Sequence, residues 1–327
     1  MRLYACPVCD ARLYFHNSLC GACGANVSYN DSEDAFVTGV GSCANVNEIG
    51  CNWVGDAASD NLCHSCQMTD VIPDLAVVPN RELWADGEAA KRWVLANLAR
   101  WGWFGSEDEG SLPSFEFKSE QTSVGSEHVT MGHASGVITL NVAEADDAIR
   151  VRNREMLDED YRTMLGHLRH ELAHFLHDRL SAEEPDFPQA FRELFGDERA
   201  DYGEALERHY SDGPPQGWEM SFITPYASAH PHEDWAETVA HLMHLTDIVD
   251  TAESVDLSWH TTSERPGDAY ATTKSVPLIR SAVDLGLALN QVNRAMGLSD
   301  LYPFVLNDAV RTKLAFAHHW LNRKARR

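Results

Sequence analysis

The stretch Gly166–Asp178, GHLRHELAHFLHD, decides how this chain is read. On a helix, at about 100° per residue, Met164, Leu165, Leu168, Leu172, Phe175 and Leu176 gather on one side. His167, His170, His174 and His177 gather on the other. The four cannot share one ion, because ten residues of helix rise about 15 Å while a Zn–N bond is about 2 Å. Only neighbours one turn apart chelate. Glu171 selects the pair: His170-Glu171-Leu172-Ala173-His174 is HExxH. It has imidazoles at i and i+4, and a carboxylate placed to take a proton from a water that zinc activates. The pairs His167/His170 and His174/His177 have no carboxylate in that position.

A catalytic zinc keeps three protein ligands and one open position. Candidates for the third are Asp178, Asp197, Glu198, Asp201, Glu233, Asp234 and Glu237. Asp178, one turn beyond His174 on the same helix, would crowd the open position. Pro231 opens a later helix. On it Glu233, Glu237, His241 and His244 share one side, and Trp235, Val239, Leu242 and Met243 the other. One of the two glutamates ligates, and the other orients a ligand histidine through its second ring nitrogen. The plainer reading is a solvated acidic stripe. For LFGDERADY, bracing of the histidines by Asp197, Glu198 and Asp201 is preferred over binding a cationic residue or capping and solvating a helix. His230 reads equally as a contact to a substrate carbonyl or as the start of a helix.

All eight cysteines lie between Cys6 and Cys66, as Cys6-x2-Cys9, Cys20-x2-Cys23, Cys43, Cys51 and Cys63-x2-Cys66. MRLYACPVCD has no apolar signal core, so a reducing cytoplasm is expected, and there such clustering points to zinc. CxxC turns aim two thiolates at one tetrahedral ion. Two structural sites are expected, the second completed by Cys43 and Cys51, with crossed pairing left open. Zinc then replaces a core that about 75 residues barely build. The division expected is residues 1–75 as a zinc ribbon and 76–327 as the catalytic domain.

In 327 residues, 50 acidic against 26 basic side chains give a formal charge of −24. That charge repels phosphate backbones, so nucleic acid is not an expected partner. A cationic substrate would be attracted, although a solvated acidic surface suffices to explain the charge. No apolar run of about 18 residues exists, so no membrane span is expected. Helical periodicity covers Arg81–Trp103, with Leu83, Trp84, Trp93, Val94, Leu98 and Trp101 inward. PSFEFKS alternates as a strand. HVTMGHASGVITLNVAEAD reads as a hairpin turning at Gly132–Gly136, and GVITLNVA could offer an edge to an extended peptide or be an ordinary paired strand. Helices are expected at about 159–180, 187–209, 231–250, 277–296 and 303–323, with HTTSERPGDAYATTK as a surface loop. Early strands and late helices make an α+β fold, a mainly helical zincin-like domain with a small sheet, preceded by a zinc ribbon.

At HExxH with a later glutamate the chain resembles the gluzincin metallopeptidases, and most closely the lethal factor type of catalytic domain. There a tyrosine precedes the ligand glutamate by seven residues and a second glutamate follows it by four. Tyr226, Glu233 and Glu237 reproduce both spacings, and HLMHLTD continues the likeness. The resemblance implies Glu233 as ligand, Glu237 as the residue orienting a histidine, and Tyr226 as the oxyanion stabiliser. Over nearly its whole length the chain is similar to a bacterial family of zinc-binding metallopeptidases with an N-terminal zinc ribbon. CPVC, NRELW, GVITLNVAEADD, GHLRHELAHFLHD, LFGDERADY and HPHEDWAETVAHLMH carry that likeness.

The expectation is therefore a zinc metallopeptidase acting on a peptide or protein, with one catalytic and two structural Zn2+. His170, His174 and Glu233 hold the catalytic ion, and Glu171 is the general base. Cys6, Cys9, Cys20, Cys23, Cys43, Cys51, Cys63 and Cys66 hold the structural ions. The alternatives are a zinc-ribbon interaction module carrying a degenerate peptidase domain, or a hydrolase of non-peptide amides.

Overall fold

The computed structural model describes residues 2–146, 163–261 and 264–324. The chain divides into two compact units, Met1–Leu168 and Arg169–Arg327. The first begins with two small antiparallel pairs, β1 (Tyr4–Ala5) with β2 (Arg12–Leu13), and β3 (Ser28–Asn30) with β4 (Ala35–Val37). Two CxxC turns, one joining β1 to β2 and one between β2 and β3, repeat one design. Asp10 N–H donates to Cys6 O and Gly24 N–H to Cys20 O, both at 2.9 Å, and Asp10 and Gly24 take positive φ (61° and 72°). That left-handed residue closes each turn, so that both thiolates face inward.

Two single-turn helices, α1 (Val46–Ile49) and α2 (His64–Gln67), lead into a four-stranded sheet. The sheet contains β5 (Thr69–Val71), β6 (Ser114–Lys118), β9 (Gly132–Ala134) and β10 (Val137–Asn141), in the order β5-β6-β10-β9; β7 (Gln121–Thr122) and β8 (Gly125–Ser126) pair separately. Because β5 pairs with β6, the sheet draws on both sides of residue 75. The expected hairpin is β9–β10, and its two turn residues, Ser135 and Gly136, both have positive φ, as tight hairpins require. The possible peptide-accepting edge at β10 is corrected: β6 pairs with it in parallel and β9 in antiparallel fashion, so both of its ladders are used. Helix α3 (Asn80–Ala99) packs on this sheet, close enough that a Cβ on Gly87 would sit 2.8 Å from the Phe117 ring. The fully buried Lys91 donates to Ser65 O (3.0 Å), Thr69 Oγ1 (2.5 Å) and Glu88 Oε1 (3.1 Å), which satisfies an otherwise costly charge.

The second unit is helical. Helix α4 (Met164–Glu183) carries the histidines, and the four expected helical residues before 163 lie outside the described residues. The single helix expected at 187–209 is two, α5 (Phe187–Phe195) and α6 (Tyr202–Asp212). Gly196, at φ 102°, breaks the first, and Asp201 starts the second by accepting from Glu204 N at 2.8 Å. Then come α7 (Pro231–Ser254), α8 (Ser275–Ala295) and α9 (Asp308–Leu321). Helix α9 starts later than expected because Asn307 supplies its cap, accepting from Val310 N at 2.9 Å. The loop before α8 is not all surface: Tyr270 is buried and donates to Asp247. Phe187, Phe191, Trp235, Phe316 and Trp320 form the aromatic core between α4, α5, α7 and α9. No helix among the described residues is long and apolar enough to cross a membrane.

Candidate metal centres

Each run of four cysteines forms one cluster, Cys6/Cys9/Cys20/Cys23 and Cys43/Cys51/Cys63/Cys66, so pairing follows the chain and is not crossed. Sulfur separations are 3.7–3.8 Å in the first and 3.6–3.8 Å in the second. A tetrahedral ion with Zn–S bonds of about 2.3 Å spaces its sulfurs about 3.8 Å apart. All eight are free thiols. These are two four-cysteine zinc sites, and their surroundings differ. Cys9 and Cys23 are exposed, whereas all four cysteines of the second site are buried. In the second, Cys63 N–H donates to Cys43 Sγ (3.3 Å) and Cys66 N–H to Cys63 Sγ (3.4 Å), bonds that disperse thiolate charge.

The third cluster arises from α4 and α7. Two links set their register. Trp235 Nε1–H donates to Ala173 O at 2.8 Å, and Arg169 pairs with Asp247. With that register His170 Nε2 lies 3.2 Å from His174 Nε2 and 3.0 Å from Glu233 Oε2, and His174 Nε2 is 3.5 Å from Glu233 Oε1. A tetrahedral ion with bonds of about 2.05 Å spaces its donor atoms about 3.3 Å apart. Glu233 is 1% exposed, so it is no solvated stripe, and what its Oε2 faces is the His170 ring nitrogen. A buried carboxylate that faces two imidazole nitrogens calls for positive charge between them, which a metal ion supplies. The residues present thus fit a zinc ion.

Glu237 lies on the other side of His170, accepting from its Nδ1–H at 2.7 Å, while Thr224 Oγ1 donates to the second Glu237 oxygen at 2.8 Å. This leaves the His170 Nε2 lone pair directed at the cluster. Burial opposes charge on His170, but Glu233 and Glu237 outweigh it and hold its pKa well above the ordinary value. Burial likewise opposes charge on Glu233, yet His170 and His174 hold its carboxyl well below the usual range.

Glu171, next to His170 in the chain, is buried. The Tyr226 ring centroid is 6.1 Å from that of His170, at the start of a short turn, Tyr226–Ser228. Burial, then the Glu233 charge, keeps the Tyr226 phenol protonated far above its ordinary range. The other candidates go elsewhere. His177 packs edge-on against Phe187 and Phe191, and His167 stands 3.9 Å from Glu144. His230 starts α7, accepting from His232 N at 3.1 Å, while its Nε2 is 3.2 Å from Ala200 O. The bracing of histidines by LFGDERADY gives way to local duties: Asp197 pairs with Arg199, Glu198 with Arg192, and Asp201 caps α6. Asp234 pairs with Lys313, and Asp178 is exposed. The residue missed in the sequence is Tyr202, whose hydroxyl donates to Glu233 Oε1 at 2.7 Å. No periodicity marks it; the signal available was its place at the end of LFGDERADY, where attention went to the acidic residues.

Residues 80–320 match the family described as "Putative zinc-binding metallo-peptidase", and residues 3–39 and 37–77 each match a zinc-ribbon domain. An uncharacterized protein of Mycobacterium bovis and one of Mycobacterium tuberculosis are each 41% identical, covering 97% of this chain and 94% of the relative. No solved structure matches the chain.

Proposed function

The chain belongs to that metallo-peptidase family, and on this premise we propose that it hydrolyses peptide bonds at the His170, His174, Glu233 cluster. The observation that carries the reading is the convergence of two imidazole nitrogens, 3.2 Å apart, on the buried Glu233 carboxylate, whose oxygens lie 3.0 Å from His170 Nε2 and 3.5 Å from His174 Nε2. Zinc held there supplies Lewis acidity, which makes water nucleophilic near neutral pH. The side chains do the rest. His170 and His174 bind through Nε2, and Glu237 fixes the His170 ring through Nδ1. Glu171 takes the proton of the attacking water, then returns it to the amine nitrogen as the C–N bond breaks. Tyr226, a protonated phenol, donates to the carbonyl oxygen as that oxygen gains charge. The two cysteine sites hold structural zinc, giving three ions in all.

Digestion of an unbiased peptide library tests this. Wild type should cut it, and Glu171→Gln should keep its zinc and lose cleavage. A Glu171→Gln variant as active as wild type would remove the general base from the scheme, and an inert wild type with full zinc would remove the peptidase.

A further inference from the structure

Glu233 is held unequally at its two oxygens. Oε1 accepts a 2.7 Å hydrogen bond from Tyr202. Oε2 is buried and receives no such bond from a hydroxyl; it lies 3.0 Å from His170 Nε2, whereas Oε1 stands farther from the other imidazole, 3.5 Å from His174 Nε2. We propose that Tyr202 is a positioning residue for the metal centre: its hydroxyl occupies one carboxylate oxygen of Glu233 and so reserves the other for the cation. This rests on the reading that His170, His174 and Glu233 bind zinc.

Why a donor is needed follows from carboxylate chemistry. Glu233 could offer both oxygens to one ion and fill the position that water requires. A hydroxyl on Oε1 competes for that oxygen and keeps the attachment to a single atom. The same bond fixes the carboxylate plane, which a side chain on α7 alone leaves free to rotate.

The chain before Tyr202 is built to hold the hydroxyl there. Gly196 ends α5 at φ 102°. Arg192 grips Glu198 through two nitrogens, Nε at 2.9–3.0 Å and Nη2 at 2.5 Å. Asp201 caps α6, so Tyr202 is the first residue of that helix and cannot slide along it. His230 Nε2 reaches Ala200 O at 3.2 Å, and the Tyr202 ring meets the His230 ring edge-on at 5.2 Å. His230 also caps α7, three residues before Glu233. Donor and acceptor thus hang from one joint. This gives LFGDERADY a purpose that its acidic residues did not show: they shape the turn that presents the tyrosine.

Tyr202 is 43% exposed, so removing its hydroxyl should not disturb the core. The test uses the full-length protein and a chromophoric chelator that competes for zinc. Tyr202→Phe should loosen one zinc equivalent by about 10- to 100-fold, the usual cost of losing a partner of a ligand. It should leave the two ribbon equivalents and the unfolding midpoint of the chelator-stripped protein unchanged. In the cobalt-substituted protein, the absorption difference from His170→Ala, which isolates this site, should change shape in Tyr202→Phe. Wild-type affinity and an unchanged cobalt spectrum would overturn the proposal, as would a stripped-protein midpoint that falls as far as the zinc-loaded one, which marks a merely structural tyrosine. If His170→Ala itself removes no equivalent, the metal centre fails, and Tyr202 with it.

Discussion

Replacing Glu237 tests the proposed zinc centre while leaving its three proposed ligands in the chain. Its carboxylate accepts from His170 Nδ1–H at 2.7 Å and from Thr224 Oγ1 at 2.8 Å. In Glu237→Gln the amide oxygen still accepts from His170, but a charged hydrogen bond becomes a neutral one. Bonds to charged groups are worth about 1.5–3 kcal/mol and neutral ones about 0.5–1.5. The difference, about 1–1.5 kcal/mol, is roughly a tenfold loss of zinc affinity. Glu237→Ala removes the acceptor altogether and should lose about 100-fold, the upper end for an outer partner of a ligand.

The pH dependence has a definite sign. Glu237 helps to hold the His170 pKa well above its ordinary value, so in the metal-free protein zinc must displace that proton. Wild-type affinity therefore rises with pH from neutrality up to the elevated His170 pKa, by up to about tenfold per pH unit. Removing Glu237 lowers that pKa and relieves part of the competition, which masks some of the loss at pH 7. The deficit of Glu237→Ala should accordingly be larger at pH 8.5 than at pH 7. Chelator competition at the two pH values measures both quantities. Equal affinity of Glu237→Ala and wild type, or a deficit that shrinks as pH rises, would refute the reasoning.

Other outcomes follow from the packing and the cysteine sites. Trp235→Phe removes the indole donor to Ala173 O and part of a fully buried ring, and should lower unfolding stability by about 2 kcal/mol in urea titration. It should also weaken zinc at the α4/α7 centre, since this bond sets the register; wild-type binding would deny it that role. Lys313→Met strands the buried Asp234 carboxylate and should cost about 3–5 kcal/mol. Adding Asp234→Asn should recover part of that loss, and a double variant no more stable than the single one contradicts the pairing. At the ribbon, thiol modification should release zinc in two phases, because Cys9 and Cys23 are exposed and the second cluster is buried. Cys9→Ser should abolish only the fast phase; its persistence would mean that exposure does not govern access.

What the sequence determined by itself is local. HExxH is legible because i and i+4 on one helix bring His170 and His174 together whatever else the chain does. CxxC turns are legible for the same reason, as is the tight β9–β10 turn at Ser135–Gly136. The spacing of Glu233 and Glu237 on α7 put both on one face, but helical phase cannot say which meets the Nε2 atoms and which meets Nδ1. Trp235 on Ala173 O and Arg169 on Asp247 decide that, by setting how far α7 slides along α4. Pairing of the eight cysteines and the burial of β10 between β6 and β9 are likewise contacts between segments far apart in the chain. Tyr202 is the extreme case, 31 residues from Glu233 and without periodicity. Its place follows from a broken helix, a cap and a shared histidine, each too short in range to predict the other's position. Spacing along one element is set by backbone geometry, whereas convergence between elements is set by packing, and only the folded chain carries it.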